Sequence, residues 1–204
     1  MDEPFRSKDF LMADDLYEQL VSIQERLAGD MPDEDEAEPQ NEEAQKQVLV
    51  VALNTLLADT YTVYHEAHGY HWNVKGPDFS QYHGLFSSMY EDLIGSVDDI
   101  AENILRLGYD VAFKMNDLMR MRTIPESSPD DTPQSMATAL LGSMQALYDG
   151  FVDAFEIANS IEQQGCANFI AERIDMTAKW MWQLRASLGM QKPALMRRSV
   201  PRMN

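Results

Sequence analysis

The sequence predicts an all-α protein built around a four-helix bundle. Three observations carry that expectation. Apolar residues recur at three- and four-residue spacing from about residue 46 to residue 189, no period-2 run interrupts them, and Gly or Pro breaks the pattern at points that leave four long helices. With 204 residues, 45% of them apolar, the chain is long enough to bury one sizeable core.

Ahead of the bundle, a stripe through Leu16, Leu20, Ile23 and Leu27 predicts a short amphipathic helix over 13–28. The acidic stretch GDMPDEDEAEPQNEE then offers no apolar face and reads as a solvated linker. The first bundle helix is expected over 43–72, stopped by the segment NVKGPDF, where Gly76 and Pro77 break the pattern. The second runs over 80–107 with Gly108 as its C-terminal cap. A long connection follows, with a short helix over 111–122, and ends in IPESSPDDTP. The third helix is expected over 133–163. Gly165 separates it from the fourth, over 166–188, which Gly189 caps. The chain thus divides into an acidic extension (1–45), a helical bundle (46–189) and a basic tail (190–204), the bundle having a long second connection.

Charge limits the partners. The net charge is −18, of which residues 1–45 contribute −12 and residues 46–191 contribute −10. The last 13 residues hold Lys192, Arg197, Arg198, Arg202 and no acid. This balance opposes wrapping of nucleic acid through net electrostatics, so any DNA role must come from a local patch, and DNA binding is expected to be weak or absent. The basic tail reads first as a solubilising segment and only secondarily as a DNA contact. No apolar stretch approaches the ~18 residues of a membrane span, and the start MDEPFRSKDF has neither the basic leader nor the apolar core of a signal peptide. The single cysteine, Cys166, cannot close an intrachain disulfide, which favours a reducing compartment. A cytoplasmic protein with no membrane partner is expected.

The chemistry is concentrated. All four histidines, His65, His68, His71 and His83, fall within 19 residues. The turn between the first two helices folds His71 and His83 toward the same end of the bundle. Farther along the second helix, Asp98 and Glu102 stand four residues apart and project from one face. Two imidazoles and two carboxylates suit iron, manganese or zinc, with the carboxylate share leaning toward iron, but spacing alone does not choose the metal. His83 and Asp98 lie 15 residues apart, roughly 22 Å at the helical rise, which no single metal bridges. Two copies of the second helix lying antiparallel across a twofold axis would bring His83 of one against Asp98 and Glu102 of the other. The alternative centre within one bundle needs Glu-x-x-His on two helices, and no such sequence occurs.

Taken together, HWNVKGPDF from His71, His83 twelve residues later, Asp98-Asp-Ile-Ala-Glu102 and Leu107-Gly108 resemble Dps, the DNA-binding protein from starved cells, a miniferritin of the ferritin-like superfamily. The likeness covers roughly residues 47–189, including Ala167-Asn-Phe-Ile-Ala-Glu172 through Trp182. It implies a ferritin-like four-helix bundle with a short helix in the second connection, assembled as a homo-oligomeric hollow dodecamer. It further implies ferroxidase centres at twofold interfaces that oxidise Fe(II), preferably with hydrogen peroxide, and mineral stored inside. By that resemblance His71 and His83 are ligands from one subunit, and Asp98 and Glu102 are ligands from its neighbour.

Two departures stand out. Family members commonly place an Asp or Glu one turn after the second histidine, where this chain has Ser87, a poor iron ligand; Glu91 and Glu66 are the substitutes considered. The family's basic N-terminal arm is replaced by the acidic extension. A weakened shell acting as a structural, DNA-binding or partner-binding protein is accordingly the alternative to an iron oxidase. Trp72 is either plain core or, as the resemblance suggests, an electron donor beside the ligands. His65 and His68 are expected to be solvated or hydrogen-bonded rather than ligands, and the 14 methionines to be core filler.

Overall fold

A computed structural model describes residues 34–130 and 132–190, with side chains from residue 42 onward. The expected helix over 13–28 and the basic tail from Lys192 lie outside the described residues.

Among the described residues every regular element is helical. Four long helices, α1 (Glu34–Asn73), α2 (Phe79–Arg106), α4 (Pro133–Ser160) and α5 (Gln164–Ser187), form the bundle, and α3 (Met115–Met121) sits in the long second connection. The predicted fold class and order of elements hold.

Four boundaries differ from expectation. Helix α1 starts at Glu34, nine residues early, inside the presumed linker. Glu, Ala and Gln there are good helix formers, and acids near a helix N-terminus complement its dipole, so low apolarity did not mean absence of helix. Helix α3 starts four residues late, because Lys114 is still extended (φ −82°, ψ 126°). Helix α4 ends at Ser160 rather than 163, where Glu162 adopts a left-handed φ of 57°. That break makes Gly165 unnecessary as a separator, and it falls in the first turn of α5 instead. The expected caps Gly108 and Gly189 do adopt positive φ, 89° and 66°, the conformation that lets a glycine N–H close the last turn. At the start of α4, Pro133 fits the first turn, and the Thr132 hydroxyl caps it by accepting from the Ser135 N–H at 3.1 Å.

The bundle closes around Leu49, Leu53, Phe86, Leu93, Ile100 and Phe151, all fully buried. Side chains of this size each contribute ~1.5–3 kcal/mol on burial. Helix α1 packs on α2 and α4, α4 on α5, and α3 on α1.

A buried and a partly buried carboxylate fix what the apolar contacts leave loose. Asp59 on α1 accepts from the Thr123 N–H (2.7 Å), the Thr123 hydroxyl (2.7 Å) and the Ile124 N–H (2.9 Å), tying the second connection down. Asp92 on α2 takes two bonds from the Arg173 guanidinium of α5 (3.1 and 2.8 Å) and one from Trp180 Nε1 (2.9 Å). Burial works against the Asp92 charge, but Arg173, Trp180 and Lys179 outweigh it and hold the carboxyl below its ordinary pKa. No helix among the described residues is long and apolar enough to cross a membrane.

Candidate metal centre

His71 lies in the last turn of α1 and His83 in the second turn of α2, so the five-residue turn between the helices brings them together. Their rings stack with centroids 3.7 Å apart and planes 19° from parallel. His71 Nδ1 donates to the His83 carbonyl at 2.9 Å, and His83 Nδ1 donates to the His71 carbonyl at 2.8 Å. A carbonyl only accepts, so each Nδ1 carries the hydrogen. In the neutral rings both Nε2 atoms are then left with lone pairs. This is the arrangement that orients imidazole ligands, with the ring nitrogen away from the metal bound to a backbone oxygen. The His71 carbonyl belongs to the final turn of α1, where carbonyls lack intrahelical donors, so the clamp also satisfies a helix end. Phe79 stacks on His83 at 4.8 Å.

Asp98 and Glu102 are both exposed on α2. Glu102 pairs with Arg106 at 3.1 Å. The same face carries two exposed apolar residues, Ile94 (38% exposed) and Leu105 (56%). The histidine pair and the carboxylate pair thus each form, but at separate places on one chain. Among the described residues no three His, Cys, Asp or Glu side chains gather as a metal would require.

Ser87 donates to Glu91 Oε1 at 3.1 Å, one turn along α2. Glu66 Oε1 accepts from the Tyr70 hydroxyl at 2.8 Å and from Ser127, while its Oε2 is buried with no hydrogen-bond partner.

Sequence reasoning missed an aromatic cluster beside the histidine pair. Trp72 is 60% exposed, not core, and packs on His68 (centroids 4.1 Å apart). His68 also meets the Tyr90 ring at 4.2 Å and the Tyr64 hydroxyl at 3.2 Å from Nδ1. Desolvation, with smaller contributions from the charges of His71 and His65, lowers the His68 pKa. His68 is therefore hydrogen-bonded, and His65 is exposed, its ring edge-on to Trp72 with centroids 6.4 Å apart. The spacing 64, 68, 72 was visible as a helical stripe, but the approach of Tyr90 from α2 was not.

The model of the ferritin-like domain family matches residues 50–192. An uncharacterized protein of Haemophilus influenzae is 30% identical over 146 residues, covering 72% of this chain and 91% of the relative. DNA protection during starvation protein 2 of Bacillus anthracis is 29% identical over 144 residues, covering 71% and 98%. Among solved structures, the Dps protein of Vibrio cholerae O1, described as a ferritin-like diiron-carboxylate protein, superposes with a TM-score of 0.67 at 30% identity, covering 71% of this chain and 91% of that one. Dps of Thermosynechococcus elongatus, at 22% identity, shares the fold with a TM-score of 0.70 over 74% and 96%. With its helix order, its histidine turn and these likenesses in agreement, the chain belongs to the ferritin-like family and, within it, to the Dps miniferritins.

Proposed function

We propose that this protein oxidises Fe(II) at centres shared between two subunits and stores the Fe(III) inside a closed homo-oligomeric shell, most simply a dodecamer, so removing iron and peroxide together. The reciprocal His71–His83 clamp carries this reading. It spends both Nδ1 hydrogens on backbone and leaves two preset Nε2 donors, a costly arrangement for a surface turn without a metal to hold.

Asp98 and Glu102 of a second copy complete the centre. An uninterrupted α2 makes an antiparallel pairing across a twofold axis geometrically simple, and the exposed Ile94 and Leu105 beside the carboxylates give that pairing apolar surface to bury. Imidazoles suit Fe(II), and the carboxylates favour the harder Fe(III), so this donor set promotes loss of an electron. Trp72, packed at a tilt on His68 next to His71, sits close enough to act on the centre through that ring. DNA plays little or no part in the role, and the single cysteine fits a cytoplasmic setting.

Addition of Fe(II) and then hydrogen peroxide to the purified protein tests the reading, with Fe(III) absorbance followed and assembly checked by sedimentation. Rapid growth of protein-bound, soluble Fe(III) by a closed oligomer is expected. Iron that oxidises no faster than in buffer, or an active monomer, overturns it.

A further inference from the structure

A cavity of about 680 Å³ opens between α1, α3 and the connection that follows α3, within the size range of small-molecule sites. Much of its wall is apolar, with Tyr61 from α1, Met115 and Met119 from α3 and Met136 from α4. Thioether side chains adapt to the shape of what they enclose.

The polar part of the lining is rich in acceptors. Glu66 Oε1 accepts from the Tyr70 hydroxyl at 2.8 Å and from the Ser127 hydroxyl, and those two hydroxyls also touch each other. Each hydroxyl has one hydrogen, and both are used on Oε1, so what they offer the cavity is lone pairs. Burial first, and then the neighbouring Glu66, raises the Tyr70 pKa, which keeps that hydrogen on the phenol. Glu66 Oε2 is buried, and no group among the described residues donates to it. Asn73 directs its amide N–H to the Gly69 carbonyl at 2.7 Å, which leaves its Oδ1 as a further acceptor. The charges agree. Glu66, Arg122 and Glu126 line the cavity, and Arg122 is paired with Glu126 at 2.9 Å, so the Glu66 charge has no counter-ion there. A shielded carboxylate oxygen with neither a donor nor a counter-ion is unfavourable.

We propose that this cavity binds a small organic cation, a primary ammonium carried on an apolar or aromatic body. An ammonium has three N–H donors and no acceptor, the complement of the Glu66 carboxylate, Asn73 Oδ1 and the hydroxyl lone pairs. Its charge stands beside Glu66 in a recess of low dielectric, where attraction reaches the shielded Oε2 without direct contact. The Tyr61 and methionine walls receive the body. An anion meets the unbalanced Glu66 charge, and a metal ion finds no group of three His, Cys, Asp or Glu side chains among the described residues. The iron-oxidising reading does not depend on this site, and each can fail without the other.

Calorimetric titration of the full-length assembled protein, without iron and at about 150 mM salt to screen its general negative charge, tests the site. The probes are phenethylamine, phenethyl alcohol and phenylacetate, which differ in the charge of the head group. The amine is expected to saturate one site per subunit, the alcohol to bind about tenfold more weakly or worse, and phenylacetate not to bind. Glu66→Gln keeps the side-chain volume and removes the charge, so it should weaken the amine about tenfold or more and leave the alcohol unchanged. Met119→Trp fills the cavity from α3 and should abolish binding of the amine. Helical content and oligomer size verify assembly of both variants. Should either fail to assemble, the comparison of amine with alcohol in the parent protein decides alone. Amine binding that does not saturate by about 10 mM, that the alcohol equals, or that survives either substitution unchanged in an assembled variant overturns the proposal.

Discussion

His71 and His83 hold each other: each ring donates its Nδ1 hydrogen to the other's backbone carbonyl, at 2.9 and 2.8 Å, across a 3.7 Å stack. The orientation of each potential ligand therefore depends on the backbone of the other, and through it on the turn that joins α1 to α2. Loss of either ring leaves the survivor's bond to the backbone carbonyl in place but strips away the ring stacked on it, so the two substitutions are expected to be coupled through that stack rather than additive.

A shared centre makes a specific prediction for mixed shells. His71→Ala combined with His83→Ala in one protein, and Asp98→Ala combined with Glu102→Ala in another, should each abolish rapid iron oxidation while leaving helical content intact, since alanine supports helices. Co-assembly of the two proteins should restore activity. In a mixed dimer one centre loses all four ligands, but the other combines intact histidines from one chain with intact carboxylates from its partner. Hybrids that remain as inactive as either parent would place the carboxylates outside the centre.

The histidine turn was legible from sequence because its parts are local: His71 and His83 are twelve residues apart, and the Gly76-Pro77 break makes the turn between them predictable. The separation of His83 from Asp98 also followed from arithmetic, because α2 is one unbroken helix. What escaped was tertiary or marginal. Tyr90 meets Tyr64 and His68 only once α1 and α2 are packed at a given rotation, which periodicity does not fix. The break at Glu162 was assigned to Gly165 because glycine is the usual carrier of positive φ, whereas here a glutamate adopts it.

The Asp92–Arg173 pair should carry much of the attachment of α5 to α2. The Arg173 side chain is 9% exposed, and both Asp92 oxygens are occupied by its guanidinium. Asp92→Asn would leave that cation buried without its counter-ion, a change that typically costs about 3–5 kcal/mol. Urea denaturation compared with the parent protein measures it, and a loss below about 1 kcal/mol would mean that water replaces the carboxylate there.

The same pair has a defined pH dependence. The Asp92 pKa is lowered in the folded state, because Arg173, Trp180 and Lys179 outweigh the opposing effect of burial. Its contribution is therefore complete above the unfolded value of about 3.9 and is lost as pH falls through the lower folded value. Acid unfolding monitored by circular dichroism should consequently depend less on pH below about 4 in Asp92→Asn than in the parent protein. Parallel acid profiles would assign acid sensitivity to other carboxylates.

Charge argues that this member of the Dps group binds DNA weakly at physiological salt. The first 45 residues sum to −12 and residues 46–191 to −10, while only the last 13 supply +4. A closed shell repeats those values in every subunit, so phosphate is repelled unless the tails reach clear of the field, which decays over about 8 Å at physiological ionic strength. Four bases release about four counterions per engaged tail, leaving binding that fades between about 50 and 200 mM salt. Several tails on one shell can still add avidity when they engage together. Gel shifts across that salt range with the full chain, a version ending at Gln191 and one beginning at Glu43 separate the contributions. Loss of the acidic extension should strengthen any binding, and loss of the basic tail should erase it. Tight binding by the full chain that persists at high salt would require a positive surface on the bundle itself, which a net of −10 opposes.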